Sequence, residues 1–169
     1  MKDMLIFIEG TDCNFKSTIA AILSEELNYS VTKGSSFELA SKGNKELYVH
    51  FRAIADLEKG IVDRYIYSNL VYASKYRDFS IINNTQKVHL ESLLKDKSVV
   101  LYLFASDEVV QQRIEQRGDE YINTKDISEL NKSYSKVMES SGMTVLSFDT
   151  SKNSSIEIAE SVLKWLKRT

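Results

Sequence analysis

The 169-residue chain contains no proline, although average usage would supply about eight. Its turns must therefore rely on Gly, Asn and Ser, and glycine is itself scarce, at six residues. The single cysteine, Cys13, excludes an internal disulfide and a cysteine-rich zinc site. Neither charge sign dominates. The 22 Lys+Arg stand against 24 Asp+Glu, a formal net charge of −2, which argues against nucleic-acid binding by a broadly basic surface. The longest apolar runs, residues 4–8 and 99–105, fall far short of the roughly 20 residues a membrane span needs. Lys2-Asp3, five apolar residues and then Glu9 make too short a segment for a signal peptide. The expectation is a cytoplasmic protein with no membrane or nucleic-acid partner.

What is present is enough for a packed core, with 43% of residues hydrophobic. Residues 4–8 and 99–104 are apolar without alternation, the pattern of strands buried on both faces. Shorter strands are expected at 29–33, 60–63 and 143–148. Helical spacing marks 16–27, 37–59 with a break at Gly43-Asn44, 65–76, 84–95, 107–117 with Ser106 or Asp107 as cap, 127–138, and a last helix opened by Ser154 or Ser155. Strands alternating with helices imply an α/β fold, a five-stranded parallel sheet covered on both faces. With no linker, repeat or low-complexity tract, residues 1–169 form one domain on this reading. Ligands of such sheets bind beyond the carboxyl ends of the strands. Two glycosylation sequons, at Asn83 and Asn153, carry no weight without a secretory signal.

The most informative stretch is Gly10-Thr-Asp-Cys-Asn-Phe-Lys16-Ser17-Thr18. A phosphate-binding loop reads G-x-x-x-x-G-K-[ST] between a strand and a helix. Gly10, Lys16 and Ser17 stand in register, and both flanking elements are expected. Loop N–H groups and the helix N-terminus would face the anion. Lys16 would neutralise the β and γ phosphates of ATP, and the Ser17 hydroxyl would coordinate Mg²⁺. Phe15 occupies the second glycine position, which permits positive φ. Either the loop keeps its shape with a strained Phe15, or that position has a conformation suited to a side chain. In either case the ring should point away from the phosphates.

Asp63-Arg64-Tyr65 follows directly on a strand, where the second Mg²⁺ partner of such a site stands. Arg64 offers a planar fork for phosphate. Arg113 and Arg117 share one helix face ahead of the polar residues 118–125. They suit either a clamp on transferring phosphoryl charge as a lid closes, or a solvated face paired with Glu115 or Asp119. His50 and His89 have no metal-ligand spacing and read as structural or surface residues. Trp165 reads as a packing residue.

These residues together resemble the thymidylate kinase family of P-loop nucleoside monophosphate kinases. Phe7-Ile-Glu-Gly-Thr-Asp12 with Lys16-Ser-Thr is similar to the family's opening. Asp63-Arg-Tyr-Ile-Tyr-Ser68-Asn-Leu-Val-Tyr72 is similar to its D-R-Y-x-x-S-x-x-A-Y-Q, and Arg113-Ile-Glu-Gln-Arg117-Gly118 to its helix and lid. The Phe-Lys-Ser-Thr loop and the short length resemble in particular the small members encoded in phage and prophage genomes. The resemblance implies a three-layer α/β/α P-loop NTPase fold with a short lid at about 117–126. It implies ATP- and Mg²⁺-dependent phosphoryl transfer to a deoxynucleoside monophosphate such as dTMP, with small nucleotides as partners and a homodimer through the apolar face of residues 65–76.

By position, Lys16, Arg64, Arg113 and Arg117 would be catalytic, and Ser17 and Asp63 would serve the metal. Gly10, Asn14, Phe15, Lys16, Ser17, Thr18, Asp149, Thr150 and Ser151 would hold ATP, the last three near the adenine mostly by backbone. Asp12, Phe37, Arg52, Arg64 and Tyr72 would meet the acceptor, Asp12 at a 3′-hydroxyl. Four departures bear on this. Phe15 replaces Gly, Ala73 replaces the Gln that reads thymine, Phe104 replaces an acid, and Lys33-Gly-Ser-Ser-Phe37 replaces an Arg-Glu-Pro stretch. The missing proline should leave 34–36 more mobile. Two other functions stay open: a deoxynucleoside kinase, for which Glu38 could act as base, and a nucleotide-binding module without turnover.

Overall fold

The computed structural model describes residues 3–35, 37–118 and 123–169, with Phe37 and Thr124 described by their backbone. Five strands form one parallel sheet: β1 (Leu5–Glu9), β2 (Val31–Lys33), β3 (Gly60–Asp63), β4 (Ser98–Phe104) and β5 (Val145–Asp149), in the order β2-β3-β1-β4-β5. The described helices are α1 (Lys16–Leu27), α2 (Phe37–Ala40), α3 (Asn44–Ala55), α4 (Ile66–Lys75), α5 (Asn84–Leu94), α6 (Asp107–Arg117), α7 (Ile127–Glu139) and α8 (Ser155–Leu166), with a 3-10 turn at Thr124–Asp126. None is long and apolar enough to cross a membrane.

β1 is central, and its side chains alternate between two cores. Leu5 and Phe7 pack on one face with Leu47, Phe51, Leu90 and Tyr134, from α3, α5 and α7. Ile6 and Ile8 pack on the other with Ile19, Leu23, Ile158 and Val162, from α1 and α8. Both faces are covered, so the strand has no polar side until Glu9. The alternation sends Glu9 to the α4–α7 side.

The sequon residues have a local explanation. Asn83 caps α5 in a capping box with Gln86, and Ser154 caps α8 in one with Glu157. Ser106 rather than Asp107 caps α6. Several expected elements are shorter than the sequence suggested, and the strand expected at 29–33 covers only Val31–Lys33. The helical run 37–59 ends at Ala55, and β5 starts at Val145 rather than at 143, where Met143 is buried in the core and donates its N–H to Ser141.

On α4, Ile66, Tyr67, Val71 and Ala73 are buried within the chain. One further expectation is corrected. Gly34 is not a loose substitute for proline. A Cβ there would lie 2.0 Å from the Arg64 carbonyl oxygen, so glycine permits a close approach. Its N–H is bonded to Asp63 O and its carbonyl to His50 Nε2. Ser36, also in that stretch, lies outside the described residues.

Candidate active site

The carboxyl ends of β1 and β3 bring the phosphate loop and the Asp63-Arg64 pair together. Gly10 has φ 141°, and a Cβ on it would lie 2.1 Å from the Leu103 carbonyl oxygen of β4. The loop turns over with Cys13 at φ 60° and Phe15 at φ 61°. Phe15 therefore takes the first of the two alternatives, a left-handed conformation costing roughly 1–2 kcal/mol in a non-glycine residue. Its ring packs against the α1–α8 core and beneath Arg113. Lys16 is buried, and its Nζ donates to Thr11 O at 2.6 Å. Burial and the Arg64 charge lower its pKa to about 7. Ser17 and Thr18, on the first turn of α1, are exposed.

Arg64 also has a left-handed backbone, φ 63°, a strain that in a non-glycine residue marks functional sites. Its Nη2 donates to Asp12 Oδ1 at 2.6 Å, and its guanidinium lies 5.2 Å above the Tyr72 ring. The Tyr72 hydroxyl donates to the other Asp12 oxygen at 2.9 Å. Burial opposes the Asp12 charge, but Arg64, Lys16 and Tyr72 outweigh it and hold the carboxyl below its usual range. Asp63 Oδ1 is a buried oxygen with no hydrogen-bond partner among the described residues, and its charge reaches Lys16. Both features suit a cation carrying phosphate oxygens and water.

Sequence reasoning missed Glu9. It is fully buried, which raises its pKa despite four favourable contacts. It accepts the Tyr65 N–H at 2.8 Å, the Ser68 N–H at 3.3 Å and the Ser68 hydroxyl. Tyr65 provides no side-chain cap for α4, so the β1 carboxylate satisfies those orphan N–H groups, where helix-dipole charge favours an anion. From Ser68 the chain continues to Tyr134 Oη at 2.8 Å, and this hydroxyl accepts from Arg64 Nη1 at 3.3 Å. Glu9 thus braces Arg64 along its backbone and through its side chain. An acid interrupting a wholly apolar strand was the available signal. Tyr134 gave none, because it lies at core spacing on its helix. Thr11 is held by Asn131 of α7 at 3.1 Å.

Arg113 lies between the phosphate loop and the β5–α8 turn. Its Nη1 reaches Thr150 Oγ1 at 2.7 Å, Cys13 O at 3.2 Å and Asn14 Oδ1 at 3.4 Å, while Nη2 reaches Thr150 O at 2.8 Å. It fastens the phosphate loop to the β5–α8 turn. Thr150 is correspondingly buried, with its hydroxyl 2.7 Å from Asn14 Oδ1, so its side chain serves the loop. Asp149 accepts both the N–H and the hydroxyl of Ser151 at 2.9 and 2.6 Å, shaping that turn. Arg117 is exposed, 4.0 Å from the Cys13 sulfur. Arg52 is not part of the cluster and pairs with Asp56 one turn on. The Phe37 side chain and residues 119–122 of the expected lid lie outside the described residues.

A family model described as deoxynucleoside kinase matches residues 43–167, most of the chain and all of it from α3 to the last helix. The chain belongs to the deoxynucleoside kinase family. This kinase is 48% identical over 159 residues to the SPbeta prophage-derived protein YorR of Bacillus subtilis (strain 168), covering 94% of this chain and 96% of that one. The crystal structure of YorR in complex with phosphorylated GDP superposes with a TM-score of 0.93 at 47% identity, covering 96% and 95% of the two chains. A deoxyadenosine kinase from M. mycoides (TM-score 0.65, 21% identity, 98% and 100% covered) and a thymidylate kinase from Candida albicans (0.65, 18%, 99% and 92%) share the fold. The deoxynucleoside kinase family member described here is thus a P-loop nucleoside or nucleotide kinase that uses a nucleoside triphosphate.

Proposed function

We propose that this kinase transfers the γ-phosphoryl group of ATP to a deoxynucleoside monophosphate of the dTMP type, with Mg²⁺. The observation that supports a phosphate-bearing acceptor is the Arg64 cluster. The guanidinium stands beside Lys16, and the nearby Asp12 is held ionised by Arg64 and Tyr72. A carboxylate so acidic is a weak base toward a hydroxyl, whereas a phosphate oxygen needs no base. Lys16 and the loop N–H groups would bind the donor, Arg64 the acceptor phosphate, and Asp12 a sugar hydroxyl. Catalysis would be positioning plus charge neutralisation, without a protein nucleophile. Ser17 and Asp63 would hold Mg²⁺, which when bound neutralises charge on the transferring phosphates.

A second reading, a deoxynucleoside acceptor, is favoured by the family match itself. It requires a general base, and Glu38 of α2 is exposed and lies just past β2.

One assay separates the two: acceptor-dependent ADP release across the deoxynucleosides and their monophosphates. Guanine compounds and GTP belong in the screen because YorR was crystallised with phosphorylated GDP. Monophosphates should be the better acceptors. Arg64→Ala should lower kcat/KM about 10²-fold, and Glu38→Gln should leave it unchanged. Turnover of nucleosides alone, abolished by Glu38→Gln, selects the second reading. No acceptor-dependent ADP or GDP with any compound leaves a binding module.

A further inference from the structure

We propose that Phe15 is a positioning residue for the donor nucleotide, acting through Arg113. The inference rests on the donor site assigned above. Phe15 stands at φ 61°, where glycine is unstrained, so the ring is present at a conformational cost. Its centroid lies 4.6 Å from the Arg113 guanidinium carbon, well inside cation–π range.

The guanidinium joins three segments. Cys13 O and Asn14 Oδ1 come from the phosphate loop, both Thr150 oxygens come from the β5–α8 turn, and Arg113 itself comes from α6. The hydrogen bonds run to the edge of the planar fork and fix it within its own plane. They leave it free to tilt, and the Phe15 ring, over which the guanidinium carbon lies, opposes that tilt. Arg113 bonds the carbonyl of Cys13 and the side chain of Asn14, so its orientation sets that of the neighbouring loop N–H groups, which would face the donor phosphates. A ring in place of the motif glycine thus exchanges backbone freedom for a fixed loop.

The exchange predicts an effect opposite in sign to simple tolerance of Phe15. Phe15→Gly restores the usual motif residue at a position whose φ suits it. If Phe15 is merely tolerated, donor affinity stays the same or improves. If it positions Arg113, affinity falls.

The test is the dissociation constant of Mg-ATP by calorimetry on the full chain, with KM for donor and acceptor measured beside it. Phe15→Gly and Phe15→Leu should each weaken Mg-ATP about tenfold, with acceptor KM unchanged. Phe15→Tyr, which keeps the ring, should bind within about twofold of the parent. Donor binding by the Gly or Leu variant equal to the parent overturns the proposal. So does a Tyr variant as weak as Leu. If Phe15→Gly does not fold, the Leu and Tyr pair decides. A parent that binds Mg-ATP without turning over any acceptor would sink the kinase reading and leave this inference standing.

Discussion

Two buried clusters in this protein are built from nearly the same parts. At the carboxyl ends of the strands, Glu9, Ser68, Tyr134 and Arg64 form a hydrogen-bonded chain. Toward the far end of α7, Glu91 accepts from the Tyr67 hydroxyl at 2.7 Å and the Gly142 N–H at 3.2 Å, and pairs with Lys87. Lys87 also donates to Ser140 O at 2.9 Å, and Tyr67 bonds Ser141. In the second cluster one cation faces one carboxylate, and among the described residues none of its buried side-chain polar atoms lacks a partner. The first does not close. It faces a second cation, the buried Lys16, and an unpartnered Asp63 oxygen, on a backbone left-handed at Cys13, Phe15 and Arg64. Buried polar groups become stable structure when they satisfy one another, and they become a site when something else must complete them.

The sharpest way to break this comparison is to remove a charge from each cluster. Lys16→Ala should lower turnover by about 10³-fold or more without loss of thermal stability, because a desolvated charge is removed. A coupled assay and a melting curve read both effects. Glu91→Ala should do the reverse, costing about 3 kcal/mol of stability by stranding Lys87 while leaving kcat/KM unchanged; a kinetic defect at full stability would erase the distinction. Tyr134→Phe keeps the ring and removes the link between Arg64 and Ser68, so acceptor KM should rise about tenfold with donor KM unchanged.

The smallest effect is one of pH. Lys16 titrates at about 7 in the protein without nucleotide, so donor binding takes up a proton. Affinity should fall about fivefold from pH 7 to 8, seen by calorimetry in buffers of different ionisation enthalpy. The same group acts on stability with the opposite sign. Its folded pKa lies below its unfolded one, so the unfolded chain binds more protons between about pH 7 and 10, and stability rises with pH across that window.

The phosphate loop was legible because its residues are contiguous and their spacing has a chemical meaning, and so was the Asp63-Arg64 pair at a strand end. The Glu9–Tyr134 brace was not. Its members are separated by more than a hundred residues, and each has an ordinary explanation alone, a strand end or a helix core position. Arg113 was legible as a cation near the site, but not as a clasp, since its acceptors, two backbone carbonyls and the side chains of Asn14 and Thr150, lie far from it in the sequence.

From the sequence alone came the alternating strands and helices, the register of Gly10, Lys16 and Ser17, and the expectation of phosphate binding, which local periodicity and contiguous motifs encode directly. The expectation of a kinase came from the resemblance of those motifs to a known family. The tertiary structure alone decided that Phe15 keeps the left-handed turn and lies under Arg113, that Arg52 turns to Asp56 and away from the site, and that Gly34 serves a close approach rather than a flexible one. Those outcomes depend on which elements become neighbours. The absent prolines suggested a mobile Gly34, and the packing against the Arg64 carbonyl gives it another reason.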